Sequence, residues 1–308
     1  MAHGSPPGLI EAVNDPPEQP VFRFFPTTPP LAHFVEYLFY SHVPRQFVSQ
    51  VDAMRLPEVA AQLVFAIEEG HAFPGGSAIG DGLRACLFFQ PAHLEVIPIA
   101  SSIRQAVGAA LRPTGLGLLL PKGAGLLVDA PLIALEDLWG AEGRELLLRM
   151  VAAATPERRY ALLESYLQAR ASRANAPGRT AARAFELMRA AHGEVSTERV
   201  AKACGCTSRT LRNLALAEAG LAPKHMARVL RIRHALDLLV DAGVPLSMAA
   251  ATSAFSDHAH MSREFRELLG SSPSQLGQRL RSAAVPSFSA ERNLVATGLL
   301  LMPKTSRS

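Results

Sequence analysis

Two short stretches in the last third of the chain carry side chains suited to holding a polyanion: Ser208-Arg-Thr-Leu-Arg-Asn213, and His258-Ala-His-Met-Ser-Arg263 with Arg266 just beyond. Set on helices, residues three and four apart share a face, and a face of guanidinium, amide and hydroxyl groups suits base edges and phosphates. Arg209, Arg212, Asn213, His258 and Arg263 are the expected base readers, because Arg pairs guanine and Asn pairs adenine through two hydrogen bonds each. Ser208, Thr210, Ala259, His260 and Ser262 line the same two faces. Lys202, Lys224, Arg228 and Arg266 are the phosphate candidates. The competing reading of each cation is plain surface charge.

The flanking residues say what must position these faces. In Thr197-Glu-Arg-Val-Ala-Lys-Ala-Cys-Gly-Cys-Thr207, the residues Val200, Ala201 and Cys204 make one apolar face of a short helix. Gly205 permits a tight turn, and Thr207 is placed to cap a second helix that carries Leu211 and Leu214 inward. This is helix-turn-helix grammar. Gly220-Leu-Ala-Pro-Lys224 stops that helix and starts a longer one, from about Lys224 to Val240, with Met226, Leu230, Leu236 and Leu239 for the core and Gly243 past its end. The grammar then returns from Leu246: Ser256 can cap a helix whose Met261, Phe265, Leu268 and Leu269 form one buried stripe. Gly270-Ser-Ser-Pro273 ends it, and a last helix reaches about Arg281. No internal repeat shows by residue identity.

Taken together these residues resemble the AraC/XylS family of bacterial transcription regulators. The resemblance rests on Phe255, Ser256, Asp257, His260, Ser262, Arg263, Phe265, Arg266, Gly270, Ser272 and Pro273, and covers about residues 180–281. It implies DNA binding through two recognition helices. The chain departs from the family pattern at Asn213, where Arg is usual, and at Ala215 and Met261, where Phe is usual. It also departs at Leu276, where an aromatic is usual, and at Ala254, which stands at the usual turn glycine. Ala254 implies either a strained backbone or a reshaped turn.

Charge divides the chain at the loop-like stretch Arg170 to Thr180. Residues 1–178 carry 13 Lys and Arg against 17 Asp and Glu, whereas residues 179–283 carry 15 against 9. A basic C-terminal module beside an acidic module with another task is the expected arrangement. The expected segments are a loose arm over 1–20, a sensor, effector or dimerisation domain over 21–168, a linker over 169–179, the DNA-binding domain over 180–283 and a mobile tail over 284–308. The fold class is α+β with two domains. A mostly-β, barrel-like domain with closing helices precedes an all-α domain whose two helix-turn-helix units are joined by a long helix.

The β reading comes from short apolar runs, Gln62–Ile67, Ala85–Phe89 and Leu94–Ile99, bounded by Gly and Pro clusters. Leu132 to Met150 and Pro156 to Ala171 have helical spacing, with Pro156 in a first turn. Pro29–Tyr37, the Arg112–Pro113 turn and Leu135–Trp139 resemble, more loosely, the sensor domain that precedes some AraC-type modules, which implies a small cupin-related β-barrel. His71, His93 and Glu95 lack the compact spacing of a cupin metal site, and Arg84, Arg104 and Arg112 are isolated cations that an anionic effector would need clustered. No catalytic residue, metal or cofactor is expected: no nucleophile elbow, phosphate loop or dinucleotide fingerprint occurs.

Three cysteines, Cys86, Cys204 and Cys206, form neither a disulfide framework nor a four-ligand zinc pattern, so small core residues in a reducing compartment are expected. No apolar run approaches the ~20 residues of a membrane span, and no secretory signal precedes Pro20. The expected role is a cytoplasmic, nucleoid-associated regulator, not an enzyme, whose partner is double-stranded DNA. Such a regulator would admit RNA polymerase, a small-molecule effector and a second copy as further partners. A nonspecific nucleoid-type binder is the rival. An Ada-type alkyl acceptor is disfavoured by the missing zinc-thiolate cluster.

Overall fold

The computed structural model describes residues 21–29, 31–42, 44, 51–55, 57–59, 61–67, 85–88, 95–98, 105–120, 132–174, 178–240, 244–282 and 299–303. The expected arm over 1–20, as well as His71, His93, Arg84, Arg104 and Gly243, lie outside them.

Short apolar runs build the first part. Strands β1 (Val21–Pro26), β2 (Val35–His42), β4 (Gln62–Ala66), β5 (Ala85–Phe88), β7 (Gln105–Leu111) and β8 (Leu132–Ala134) form an antiparallel sheet in the order β1-β2-β7-β4-β5-β8. Leu63, Phe65, Leu87 and Ala109 bury one face, and Val64, Ala66, Cys86 and Ala106 bury the other. Burial on both faces explains why these strands read as unbroken apolar runs in the sequence. A second antiparallel sheet holds β3 (Val51–Arg55), β6 (Glu95–Pro98) and β9 (Leu299–Pro303), in the order β6-β3-β9. Two expectations are corrected here. Leu132–Ala134, read as the start of a helix, pair with β5, Ala134 lying opposite Cys86. In the tail expected to be mobile, Leu299–Pro303 form a strand.

The closing helices follow. After a 3-10 turn at Pro113–Gly115 come α1 (Leu116–Leu119), α2 (Leu135–Trp139), α3 (Ala141–Ala152) and α4 (Pro156–Ala171). Pro156 opens α4 as expected, with the Thr155 hydroxyl accepting the Arg158 N–H at 3.3 Å. The Trp139 indole N–H donates to the Leu119 carbonyl at 3.3 Å, and the Arg170 guanidinium lies 4.3 Å from the centre of the same ring.

The rest is helical: α5 (Arg179–Ala190), α6 (Thr197–Ala203), α7 (Ser208–Ala219), α8 (Pro223–Val240), α9 (Leu246–Thr252), α10 (His258–Leu269) and α11 (Pro273–Ser282). Met226, Val229, Ile232, Leu236 and Leu239 form the buried stripe of α8. One core runs from Leu38 and Leu111 through Leu163 and Leu167 to Phe185, Leu211 and Leu236, so the β part and the helical part share a single apolar interior. Ion pairs reinforce the joint: Arg112–Glu186 at 2.9 Å, Arg189–Glu36 at 3.0 Å and Arg233–Glu58 at 3.5 Å. Among the described residues, no helix is long and apolar enough to cross a membrane.

Candidate nucleic-acid interface

The stretches Ser208–Asn213 and His258–Arg266 lie on α7 and α10, helices of equal length set fifty positions apart. Each ends at a left-handed glycine, Gly220 (φ 68°) and Gly270 (φ 64°), whose N–H closes the last turn onto Leu216 and Arg266. Each is followed three residues later by the proline that starts the next helix. The repeat invisible to residue identity is therefore present in the caps and turns.

In the first unit, the Ser196 hydroxyl caps α6 by accepting the Arg199 N–H, and Val200 and Ala201 are buried. Gly205 turns the chain at φ 66°, and the Cys206 N–H donates back to the Ala201 carbonyl at 3.0 Å. Thr207 caps α7 as expected, accepting the Thr210 N–H at 3.1 Å. Leu211 and Ala215 are buried, Ser208 and Leu214 half-buried, and Arg209, Thr210, Arg212 and Asn213 exposed. The Thr210 hydroxyl is bonded to the Thr207 hydroxyl at 2.9 Å. Cys204 and Cys206 are half-buried free thiols at the edge of the core, and burial pushes the Cys204 thiol above its usual range. Cys86 is fully buried in β5.

The second unit makes the same turn with the wrong residue. Ala254 sits at φ 52°, and the Phe255 N–H donates to the Ala250 carbonyl as Cys206 does to Ala201. A left-handed conformation costs an L-residue about 1–2 kcal/mol, more than the ~0.4–1 kcal/mol of unfolded-chain entropy that glycine adds. Ala254→Gly is therefore expected to stabilise the protein by about 0.5–1 kcal/mol. A raised urea midpoint at unchanged slope checks it, and a lowered midpoint would contradict the strain.

The helix that follows begins one residue later than expected. Asp257, not Ser256, is the cap, its carboxylate accepting the His260 N–H at 2.6 Å. That bond, with Arg263 nearby, holds the Asp257 carboxyl below its ordinary range. Met261, Phe265, Leu268 and Leu269 form the buried stripe, and His258, Ala259, Arg263 and Arg266 are exposed. Ser262, expected on the outer face, is 9% exposed and belongs to the inner one. His260 turns back on its own turn: the Ser256 N–H donates to its Nδ1 at 3.3 Å, and Phe255 meets its ring edge-on at 5.5 Å. Its Nε2 lies 3.8 Å from Glu264.

Counted from their caps, Asn213 and Arg263 hold the same place, six residues on. Among the described residues no carboxylate lies within ion-pair distance of Arg209, Arg212, Arg263, Arg266, Lys202 or Lys224. Arg228 differs from the other phosphate candidates. It is paired with Glu264 and, at 2.7 Å, with Glu267, which ties α8 to α10. Arg112 is likewise spent, donating from Nε to the Ala32 carbonyl at 2.8 Å besides its pairing with Glu186. Sequence reading missed this pairing, and no local signal marks a partner 36 residues away in the case of Glu264.

A second feature missed in the sequence stands where α5 meets α8. The rings of His192 and His234 stack with centres 4.0 Å apart, and His234 Nδ1 lies 3.7 Å from Glu194. Burial first, and then His192, hold the His234 imidazole below its ordinary 6.5. The unfolded chain thus takes up the proton first. Stability is fully present above pH ~6.5 and falls as the pH drops through the folded value. Melting temperature should decline in that window, and His234→Gln should flatten the decline. An unchanged slope would assign the pH dependence elsewhere.

Residues 200–279 match a protein-family model described as a helix-turn-helix domain. Comparison with curated proteins gives no significant match. Among solved structures, the chain is similar to the C-terminal domain of AraT, a response regulator from Geobacillus stearothermophilus. Identity is 20%, over 34% of this chain and 88% of that one, at a TM-score of 0.32. It is also similar to ToxT from Vibrio cholerae O395, at 11% identity over 74% of this chain and 96% of that one, with a TM-score of 0.37. A further likeness is to wild-type ToxT with bound unsaturated fatty acid from Vibrio cholerae strain SCE256, at 10% identity over 84% and 91%, with a TM-score of 0.36. The family match and the cap-and-turn geometry fall on the same residues. Residues 200–279 of the chain form a helix-turn-helix domain.

Proposed function

We propose that the protein is a sequence-specific, double-stranded-DNA-binding transcription regulator that sets α7 and α10 into successive major grooves. The observation that carries this reading is the pair of cap-matched helices, each exposing arginine or asparagine with no carboxylate of the described residues in ion-pair reach. A row of hydrogen-bond donors on a short, capped helix suits a polyanion. The spacer agrees in scale. Eighteen residues of α8 span about 27 Å, of the same order as the ~34 Å of one duplex turn.

Arg209, Arg212, Asn213, His258 and Arg263 would read bases, with Ser208, Thr210 and Ala259 lining the faces. Lys202, Lys224 and Arg266 would hold phosphates. His260 would act by fixing the turn before α10. The β part, residues 21–168, would be the sensor or self-association module, and its state would reach the DNA-binding part through the shared core and the pairs Arg112–Glu186, Arg189–Glu36 and Arg233–Glu58. In that role the protein works on the nucleoid, in the cytoplasm.

Selection from a pool of random duplexes tests this. A specific regulator enriches a site of two half-sites about 10 base pairs apart and keeps a ~10³-fold or larger preference for it over scrambled duplex across a salt series. Inserting five base pairs between the half-sites rotates one by half a turn and should abolish the preference. A nonspecific binder enriches nothing and weakens equally on every duplex as salt rises.

A further inference from the structure

The sheet β6-β3-β9 is assembled from chain segments almost 250 positions apart. Strand β9 pairs antiparallel with β3 through five registered positions: Val51 with Pro303, Asp52 with Met302, Ala53 with Leu301, Met54 with Leu300 and Arg55 with Leu299. On its other side β3 pairs with β6 over only four positions, from Asp52 with Pro98 to Arg55 with Glu95. A two-stranded ribbon of that length is marginal in water, and its open edge offers unpaired backbone donors and acceptors. The tail supplies what that edge lacks. Leu299-Leu-Leu-Met302 is a run of four apolar residues, and Pro303 ends it at the sheet margin. β9 also lies against α11, the last helix of the second helix-turn-helix unit.

We infer that the edge of β3 is a strand-addition site for an extended apolar peptide, and that its ligand is the chain's own C-terminal strand. Backbone hydrogen bonds supply the affinity, as in other cases where a peptide extends a sheet. Seated there, β9 fastens the far end of the helical part to the β part. The helical part, already joined through the shared core and the ion pairs of α5 and α8, is then tied once more by the tail strand. None of this depends on what α7 and α10 bind.

Two measurements test it on the full chain and on a chain ending at residue 298. First, the cysteine pairs Ala53→Cys with Leu301→Cys, and Met54→Cys with Leu300→Cys, are oxidised beside the unsubstituted protein, whose three native cysteines set the background. At least one pair should give a link within a single chain, at a yield independent of protein concentration. A link only between chains, or none in either pair, overturns the intramolecular seat. Second, a synthetic peptide of residues 296–308 should bind the shortened chain at least tenfold more tightly than the full chain, whose site is occupied. Equal binding to both, or to the linked full chain, overturns the site. Should the shortened chain fail to fold, the cysteine pairs alone decide.

Discussion

Arg263→Ala should narrow the gap between the preferred duplex and a scrambled one by about 1–3 kcal/mol, roughly 5- to 150-fold. Arg263 is exposed on α10, six residues past its cap, where Asn213 stands on α7. Asp257 feels its charge, but that carboxylate is already committed to the His260 N–H, so the guanidinium keeps its fork for a base edge. Two neighbours supply contrasts. Arg266→Ala should weaken both duplexes alike and lower the salt slope by about one, as loss of a phosphate contact does. Arg228→Ala should lower melting temperature with little change in base preference, because its partners Glu264 and Glu267 are within the protein. Equal weakening by Arg263→Ala on every duplex would make that residue a backbone contact, and no weakening at all would turn α10 away from DNA.

These contrasts follow from what the sequence could and could not disclose. Features set by a few neighbouring residues were legible: the Thr207 cap, the Gly205 turn, the Met261–Leu269 stripe, and the short strands at Gln62 and Ala85. Local ambiguity caused the near misses. Ser256 and Asp257 both cap helices well, and only the turn around Ala254, one residue longer than its counterpart, selects Asp257. Ser262 lies between Met261 and Phe265 on the helix, so a small rotation of α10 against the core decides its side. Leu132–Ala134 are three apolar residues that fit a strand or a helix equally, and pairing with β5 makes the choice. Long-range partners left no trace in local spacing. Arg228 looks like any surface cation until Glu264 is brought to it, and the tail strand needs β3 from the other end of the chain.

Gly193→Ala should cost about 3 kcal/mol or more of stability, the sum of a left-handed backbone and an overpacked contact. Gly193 follows α5 at φ 76°, directly after His192 at φ 47°, and its N–H donates to the Met188 carbonyl at 2.8 Å. A Cβ built there would lie 2.2 Å from the carbonyl oxygen of Ala227 and 2.9 Å from its carbon. Those atoms belong to the backbone of α8, in the middle of a helix, and cannot swing aside as a side chain tip could. Gly205 is the matched control: its φ of 66° is as left-handed, yet nothing lies within 4 Å of its Cβ position. Gly205→Ala should therefore cost only the conformational part net of unfolded-chain entropy, about 0.5–1 kcal/mol. The difference between the two, read from urea unfolding followed by far-ultraviolet circular dichroism, isolates the contact between the end of α5 and α8. Because His192 and His234 stack at that joint, Gly193→Ala should also weaken the pH dependence described above. Were Gly193→Ala to cost no more than Gly205→Ala, the two helices would not meet as closely as the structure has them.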